Sequence, residues 1–97
     1  MLPVKYTTKA EKYFKKIRDK VLKKKFSDAI TALRENPMAG EIKKHDLAGI
    51  MGCNVFHNKL NYEIAYKVIE VDGETLLIIL AGTRENFYEE LKNYLKG

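Results

Sequence analysis

Arg84 and Tyr88 stand four residues apart, where the apolar run Leu76-Leu77-Ile78-Ile79-Leu80 gives way to Gly82 and then to Glu89-Glu90-Leu91-Lys92-Asn93-Tyr94-Leu95. A short continuous apolar run is the signature of a strand covered on both faces. Gly82 breaks it, Thr83 has the side chain of a helix N-cap, and Glu85 would suit the dipole of a helix begun there. On such a helix Arg84 and Tyr88 share a face and could reach one phosphate. That pairing suits phosphate recognition or phosphoryl transfer, because a guanidinium stays charged and its fork matches phosphate oxygens. A cation beside a helix N-terminus opposes the dipole, so the position favours Arg84 only when an anion arrives. Tyr88 could bond that phosphate, stack on an unpaired base or donate a proton. It could equally cover the core edge, as Phe87, Leu91 and Tyr94 are expected to do.

The elements that must hold this junction can be read along the chain. Val4-Lys5-Tyr6 reads as a first strand, and Thr8-Lys9-Ala10-Glu11 has capping-box spacing. Ala10, Phe14, Ile17 and Val21 follow a helical period, as do Phe26, Ala29, Ile30 and Leu33. The stripe slips phase near Arg18–Lys20, which predicts two helices rather than one rod. Asn36-Pro37 ends the second, since the residue before proline disfavours the α region. A polar connection follows from Pro37 to Ile50, and a strand begins at Cys53. Leu60-Tyr62-Ile64-Tyr66-Val68 alternates with Asn61-Glu63-Ala65-Lys67-Ile69, a two-residue period with one face on the helices and a polar face at Asn61, Glu63 and Lys67. Asp72-Gly73 predicts a hairpin turn into the Leu76–Leu80 run. The order is β-α-α-β-β-β-α: an α+β domain spanning 1–97, with a helical hairpin on a mostly antiparallel four-stranded sheet and a C-terminal helix.

The 97 residues are 45% hydrophobic and 32% charged, which suits one folded domain with a modest core rather than a disordered chain. No apolar run reaches the roughly 18 residues of a membrane span, and the N-terminus lacks a signal peptide's apolar core. Cys53 can form no internal disulfide, which fits a reducing cytoplasm and a small buried hydrophobe. Two histidines and one cysteine give no metal-ligand spacing, so neither metal nor cofactor is expected. The net charge of +5 is uneven: through Glu35, eleven basic residues face four acids, leaving the remainder of the chain at −2. The run Lys23-Lys24-Lys25 within this cationic third favours a polyanionic or strongly acidic partner over a merely solvated face.

The layout resembles the RelE/ParE superfamily of bacterial type II toxins over nearly the whole chain. The residues that carry it are Thr8-Lys9-Ala10-Glu11-Lys12 opening the first helix, Leu33 to Pro37 closing the second, and Leu47-Ala48-Gly49. Asn61-Tyr62-Glu63-Ile64-Ala65-Tyr66 on the central strand and the ending from Gly82 to Tyr88 complete them. RelE, YoeB and HigB types cleave mRNA, usually in the ribosomal A site, whereas ParE types inhibit DNA gyrase without cutting RNA. The resemblance implies a cytoplasmic toxin that is a metal-independent, ribosome-dependent endoribonuclease. The alternatives are a ParE-like gyrase inhibitor and a catalytically inactive, antitoxin-binding co-repressor. A cognate antitoxin, of helix-turn-helix type in some relatives, is the implied partner, and operator DNA would be reached only through it.

Metal-free RNA cleavage needs a base for the 2′-OH, a cation for the pentacovalent phosphate and an acid for the leaving 5′-oxygen. The resemblance makes Arg84 the cation and gives Tyr88 a substrate-contacting role. Glu41-Ile42-Lys43-Lys44-His45-Asp46-Leu47-Ala48-Gly49 resembles a YoeB stretch in which the glutamate is general base. Glu41 would then be the base, a role that calls for partial burial, with Lys44 and His45 near the RNA backbone. His57 is a secondary candidate for the acid or for a phosphate contact. Lys59, Lys67 and Lys23-Lys24-Lys25 would bind RNA or ribosome. Two departures stand out. RelE and YoeB types carry a motif like Tyr-Arg-x-x-Tyr on the central strand where this chain has Tyr62-Glu63-Ile64-Ala65-Tyr66, and Asn54 and Phe56 stand where RelE has paired lysines. Glu63 either replaces the base, pairs with Arg84 as a structural partner, or marks weak or absent cleavage.

Overall fold

The computed structural model describes residues 1–42 and 49–96. In chain order it contains β1 (Val4–Tyr6), α1 (Thr8–Lys16), α2 (Lys20–Glu35), a 3-10 turn (Pro37–Ala39), β2 (Glu41–Ile42), β3 (Met51–His57), β4 (Leu60–Glu70), β5 (Glu74–Thr83) and α3 (Phe87–Lys96). The predicted β-α-α-β-β-β-α order therefore holds, with β2 added as a two-residue edge strand. The sheet runs β1-β5-β4-β3-β2, and only the β1–β5 pairing is parallel.

The break between the helices lies at residues 17–19. Asp19 caps α2, its Oδ1 accepting from Val21 N at 2.9 Å and Leu22 N at 3.2 Å. This fresh start resets the helical phase, so Leu22 is buried and Val21, predicted to extend the first stripe, is 58% exposed. The first helix is capped by Thr7 rather than Thr8. Thr7 Oγ1 accepts from Ala10 N at 3.1 Å and donates to Ile79 O at 2.6 Å, fastening α1 to β5. Asp72 and Gly73 both have positive φ, as the mirror-image hairpin turn requires.

Two cores lie on opposite faces of the sheet. The hairpin side buries Leu22, Phe26, Ile30 and Leu33 against Tyr62, Ile64, Tyr66, Leu76 and Ile78. Phe26 sits edge-on between Phe14 and Tyr62, with ring centroids at 5.3 and 5.6 Å. On the other side, α3 lays Phe87 and Leu91 over Ile50, Ala65, Ile79 and Leu80. A bulge at Ala65/Tyr66 shifts the β4–β5 register, which lets the adjacent Ile79 and Leu80 both join the α3 core. The second face is thus not wholly polar as the alternation suggested: α3 covers part of it, and Glu63 is only 2% exposed.

Tyr66 ties the edge to the centre. Its hydroxyl donates to Pro37 O at 2.5 Å and accepts from Gly40 N at 3.1 Å, and burial of the ring pushes the phenol's pKa up. Gly40 is required there, because a Cβ would lie 2.7 Å from Gly52 O and 2.9 Å from Tyr66 Cε1. Gly40→Ala should therefore lever β2 away from β3, at the roughly 1–3 kcal/mol typical of overpacking. Thermal unfolding of the variant checks it, and an unchanged melting temperature would show that the edge yields freely.

A candidate phosphate-binding face of the sheet

Opposed residues of an antiparallel pair project to the same side, and alternation fixes which side. Tyr62, Ile64 and Tyr66 face the helical hairpin. Asn61, Glu63, Ala65 and Lys67 therefore take the other face, that of α3. Register adds Asn54 and Gly82 on either side of Glu63, Phe56 opposite Asn61, and Glu41 opposite Gly52 at the edge.

Arg84 enters this face from the end of β5. That strand runs on through Thr83, which is paired with Tyr62 and is not a helix cap. Arg84 lies in the bend beyond it, and α3 starts only at Phe87, after Asn86 at φ 61°. Arg84 and Tyr88 are thus not on one helical turn: the arginine precedes the helix and the tyrosine is its second residue. Two backbone bonds hold the bend, Arg84 N to Asn61 O at 2.8 Å and Phe87 N to Arg84 O at 3.1 Å. The arginine is exposed, and among the described residues its guanidinium makes no ion pair. Of the alternatives open for Glu63, an ion pair with Arg84 is therefore not formed. Tyr88 is half-buried against the α3 core, its ring edge-on to Phe87 with centroids 6.3 Å apart.

Glu63 sits beside Gly82, where a Cβ would make an ordinary 3.9 Å contact with Phe87 Cδ1. Glu63 is 2% exposed and stands two residues along the face from Asn61, whose carbonyl holds Arg84 N. Glu41 shares the face but is far off. Three strand spacings and four residues of rise put it about 20 Å from Arg84, and it is exposed. Lys67, half-buried, lies four residues along β4 from Glu63 on the same face, and Lys59 projects from the β3–β4 turn with φ 65°.

His57 lies on the opposite face. It is 8% exposed, and its Nε2 is 2.8 Å from Asp19 Oδ2. The imidazole thereby joins the start of α2 to the end of β3. The hydrogen bond from His57, with the Leu22 and Val21 amides behind it, lowers the Asp19 pKa from its ordinary 3.8. A lowered carboxylate pKa contributes stability above the unfolded value, and this is lost as pH falls through the folded value. The melting-temperature advantage of the wild type over Asp19→Ala is accordingly expected at neutral pH and should vanish on acidification below 3.8. Since Asp19 is exposed, the ionic part should also shrink with salt. An advantage that grows in acid would contradict the assignment.

The three consecutive lysines do not form one patch, because neighbours on a helix point about 100° apart. Lys24 pairs with Asp28 at 3.1 Å, Lys25 Nζ donates to Phe56 O at 3.1 Å, and Lys23 borders the groove between the hairpin and β1. Lys44 and His45 lie outside the described residues. The sequence reading missed Asn61, whose carbonyl positions Arg84, and Asp19 as partner of His57. Neither carries a motif, but Asn54 and Phe56 could have been assigned to the site face from the alternation Cys53-Val55-His57 on the other side.

A family model described as the ParE-like toxin of type II bacterial toxin–antitoxin systems matches residues 4–92. No curated protein sequence matches the chain significantly. Among solved structures, the fold is similar to an arginine double mutant of E. coli toxin RelE in the free state, with a TM-score of 0.71 and 16% identity over 95% of this chain and 96% of that one. It is also similar to a chain of the RelBE2 toxin–antitoxin complex from Mycobacterium tuberculosis, with a TM-score of 0.63 and 23% identity over 86% of this chain and 98% of that one.

Proposed function

We propose that this chain, which belongs to the ParE-like toxins of type II bacterial toxin–antitoxin systems, acts by metal-independent, ribosome-dependent cleavage of mRNA. The observation that carries this reading is Arg84, an exposed guanidinium with no ion pair among the described residues, at the rim of a sheet face. A cation so held is ready for an anion without first losing a partner. In this reading Arg84 stabilises charge on the pentacovalent phosphate, Glu63 accepts the 2′-OH proton, and Tyr88 contacts the phosphate or protonates the leaving oxygen. Lys67 and Lys59 meet the RNA backbone. Cleavage at A-site codons, read by toe-printing of translating ribosomes and lost in Arg84→Ala, tests it.

One observation favours a second reading, inhibition of DNA gyrase by binding alone. Glu63 is 2% exposed, so a base at this position must be uncovered before it can reach a ribose. A supercoiling assay run beside the toe-prints separates the two: intact mRNA with inhibited supercoiling overturns cleavage.

In either case a cognate antitoxin is the proposed partner, as in the RelBE2 complex. A groove of about 330 Å³ between the hairpin and β1 is floored by Phe14, Phe26 and Ile30, and Lys23 and Arg34 edge it beside the Lys15–Glu11 pair; it suits an apolar segment bearing acidic residues.

A further inference from the structure

Phe56 is 60% exposed although it lies within a strand, and its neighbours Val55 and His57 are buried. Its ring stands on the face of Arg84 and Glu63, opposite Asn61 and two residues from Asn54. Asn61 O in turn holds Arg84 N. Phe56, Asn61 and Arg84 thus form a row across three strands, about 10 Å from end to end. A protein-docking surface would present contiguous apolar area. Here the nearest positions on the same face carry the amides of Asn54 and Asn61 and the carboxylate of Glu63. Among the described residues the outer edge of β3 alongside the ring has no strand partner, since β2 pairs with Met51 and Gly52. Lys25 Nζ caps the carbonyl of Phe56 at that edge and brings a second cation beside the row.

We propose that Phe56 is a stacking platform for an unpaired RNA base, placed so that the phosphate of that nucleotide or its neighbour falls to Arg84. The proposal rests on the RNA-cleavage reading and extends it to substrate recognition. A base has a π-face whatever its identity, so the phenyl ring supplies affinity and the flanking amides can reach the base edge. Phe56 is a positioning residue: it sets where the phosphate lies and takes no part in proton transfer.

The test uses ribosomes programmed with an mRNA that carries 2-aminopurine in the A-site codon and 2′-O-methyl groups that block cleavage. Binding of the full-length toxin should quench the fluorophore by stacking. Phe56→Leu should lose the quench and bind about tenfold more weakly, the loss expected of one base–aromatic stack. Phe56→Trp should restore both. On cleavable mRNA, Phe56→Leu should raise KM with kcat nearly unchanged. If Phe56→Leu quenches and binds like the wild type while both cleave, the stacking role is overturned and the cleavage reading stands. Stacking is overturned equally if the variant loses only antitoxin affinity, which would make the ring a protein anchor. A wild-type toxin that neither binds nor cuts programmed ribosomes overturns both.

Discussion

Arg84→Ala is expected to slow single-turnover cleavage on programmed ribosomes by about 100- to 1000-fold, the range seen when a preorganised donor to a developing negative charge is removed. The magnitude follows from how few cations the face offers. Glu63 stands at the centre of this face, and its neighbours Asn54 and Phe56 on β3 are uncharged. Lys67 lies four residues of strand from Glu63, too far to replace a fork that must grip one phosphate. Arg84→Lys should recover only part of the rate, because an ammonium is a point charge without the bidentate geometry. Neither change should disturb folding. The side chain is exposed, and the two hydrogen bonds that fix the bend use backbone atoms that any residue retains. Melting temperatures close to wild type would confirm that the loss lies in the transition state. An undiminished rate would mean that the phosphate is held elsewhere.

The architecture was legible in the sequence because each element carries a local signal: the phase slip at Arg18–Lys20, proline after α2, and the alternation along β4. The errors share one physical origin, which is that tertiary contacts move boundaries. Thr83 has an N-cap's side chain, yet pairing with Tyr62 keeps it in β5 and delays α3 to Phe87. Thr7 outcompetes Thr8 as a cap because its hydroxyl can also reach Ile79 O. The site was less legible. His57, a candidate acid by resemblance, is bonded instead to Asp19, 38 positions away in sequence. Glu41 was drawn forward by a local motif, and only the pairing of β2 outside β3 shows its distance from Arg84. A motif fixes neighbours in sequence, whereas a catalytic site is a statement about strand order.

Glu63→Gln is the substitution that separates the two proposed activities. If Glu63 takes the 2′-OH proton, replacing it with an amide of the same shape should cost about 100- to 10,000-fold in cleavage rate. Glu41→Gln, acting some 20 Å away on the strand geometry, should leave most of that rate intact. Glutamine keeps the shape of the side chain and its capacity to accept a hydrogen bond, and circular dichroism and thermal melts check that the fold survives the change at Glu63. The buried position gives the experiment its leverage. With 2% exposure, Glu63 can contribute almost nothing to the rim of a binding surface. A toxin that works only by covering gyrase should therefore keep its growth inhibition in Glu63→Gln, whereas a nuclease should lose it. Arg84→Ala cannot make this distinction, because an exposed arginine serves a protein interface as readily as a phosphate. Growth inhibition retained in Glu63→Gln but lost in Arg84→Ala would favour gyrase, and loss in both, with the fold intact, would favour cleavage.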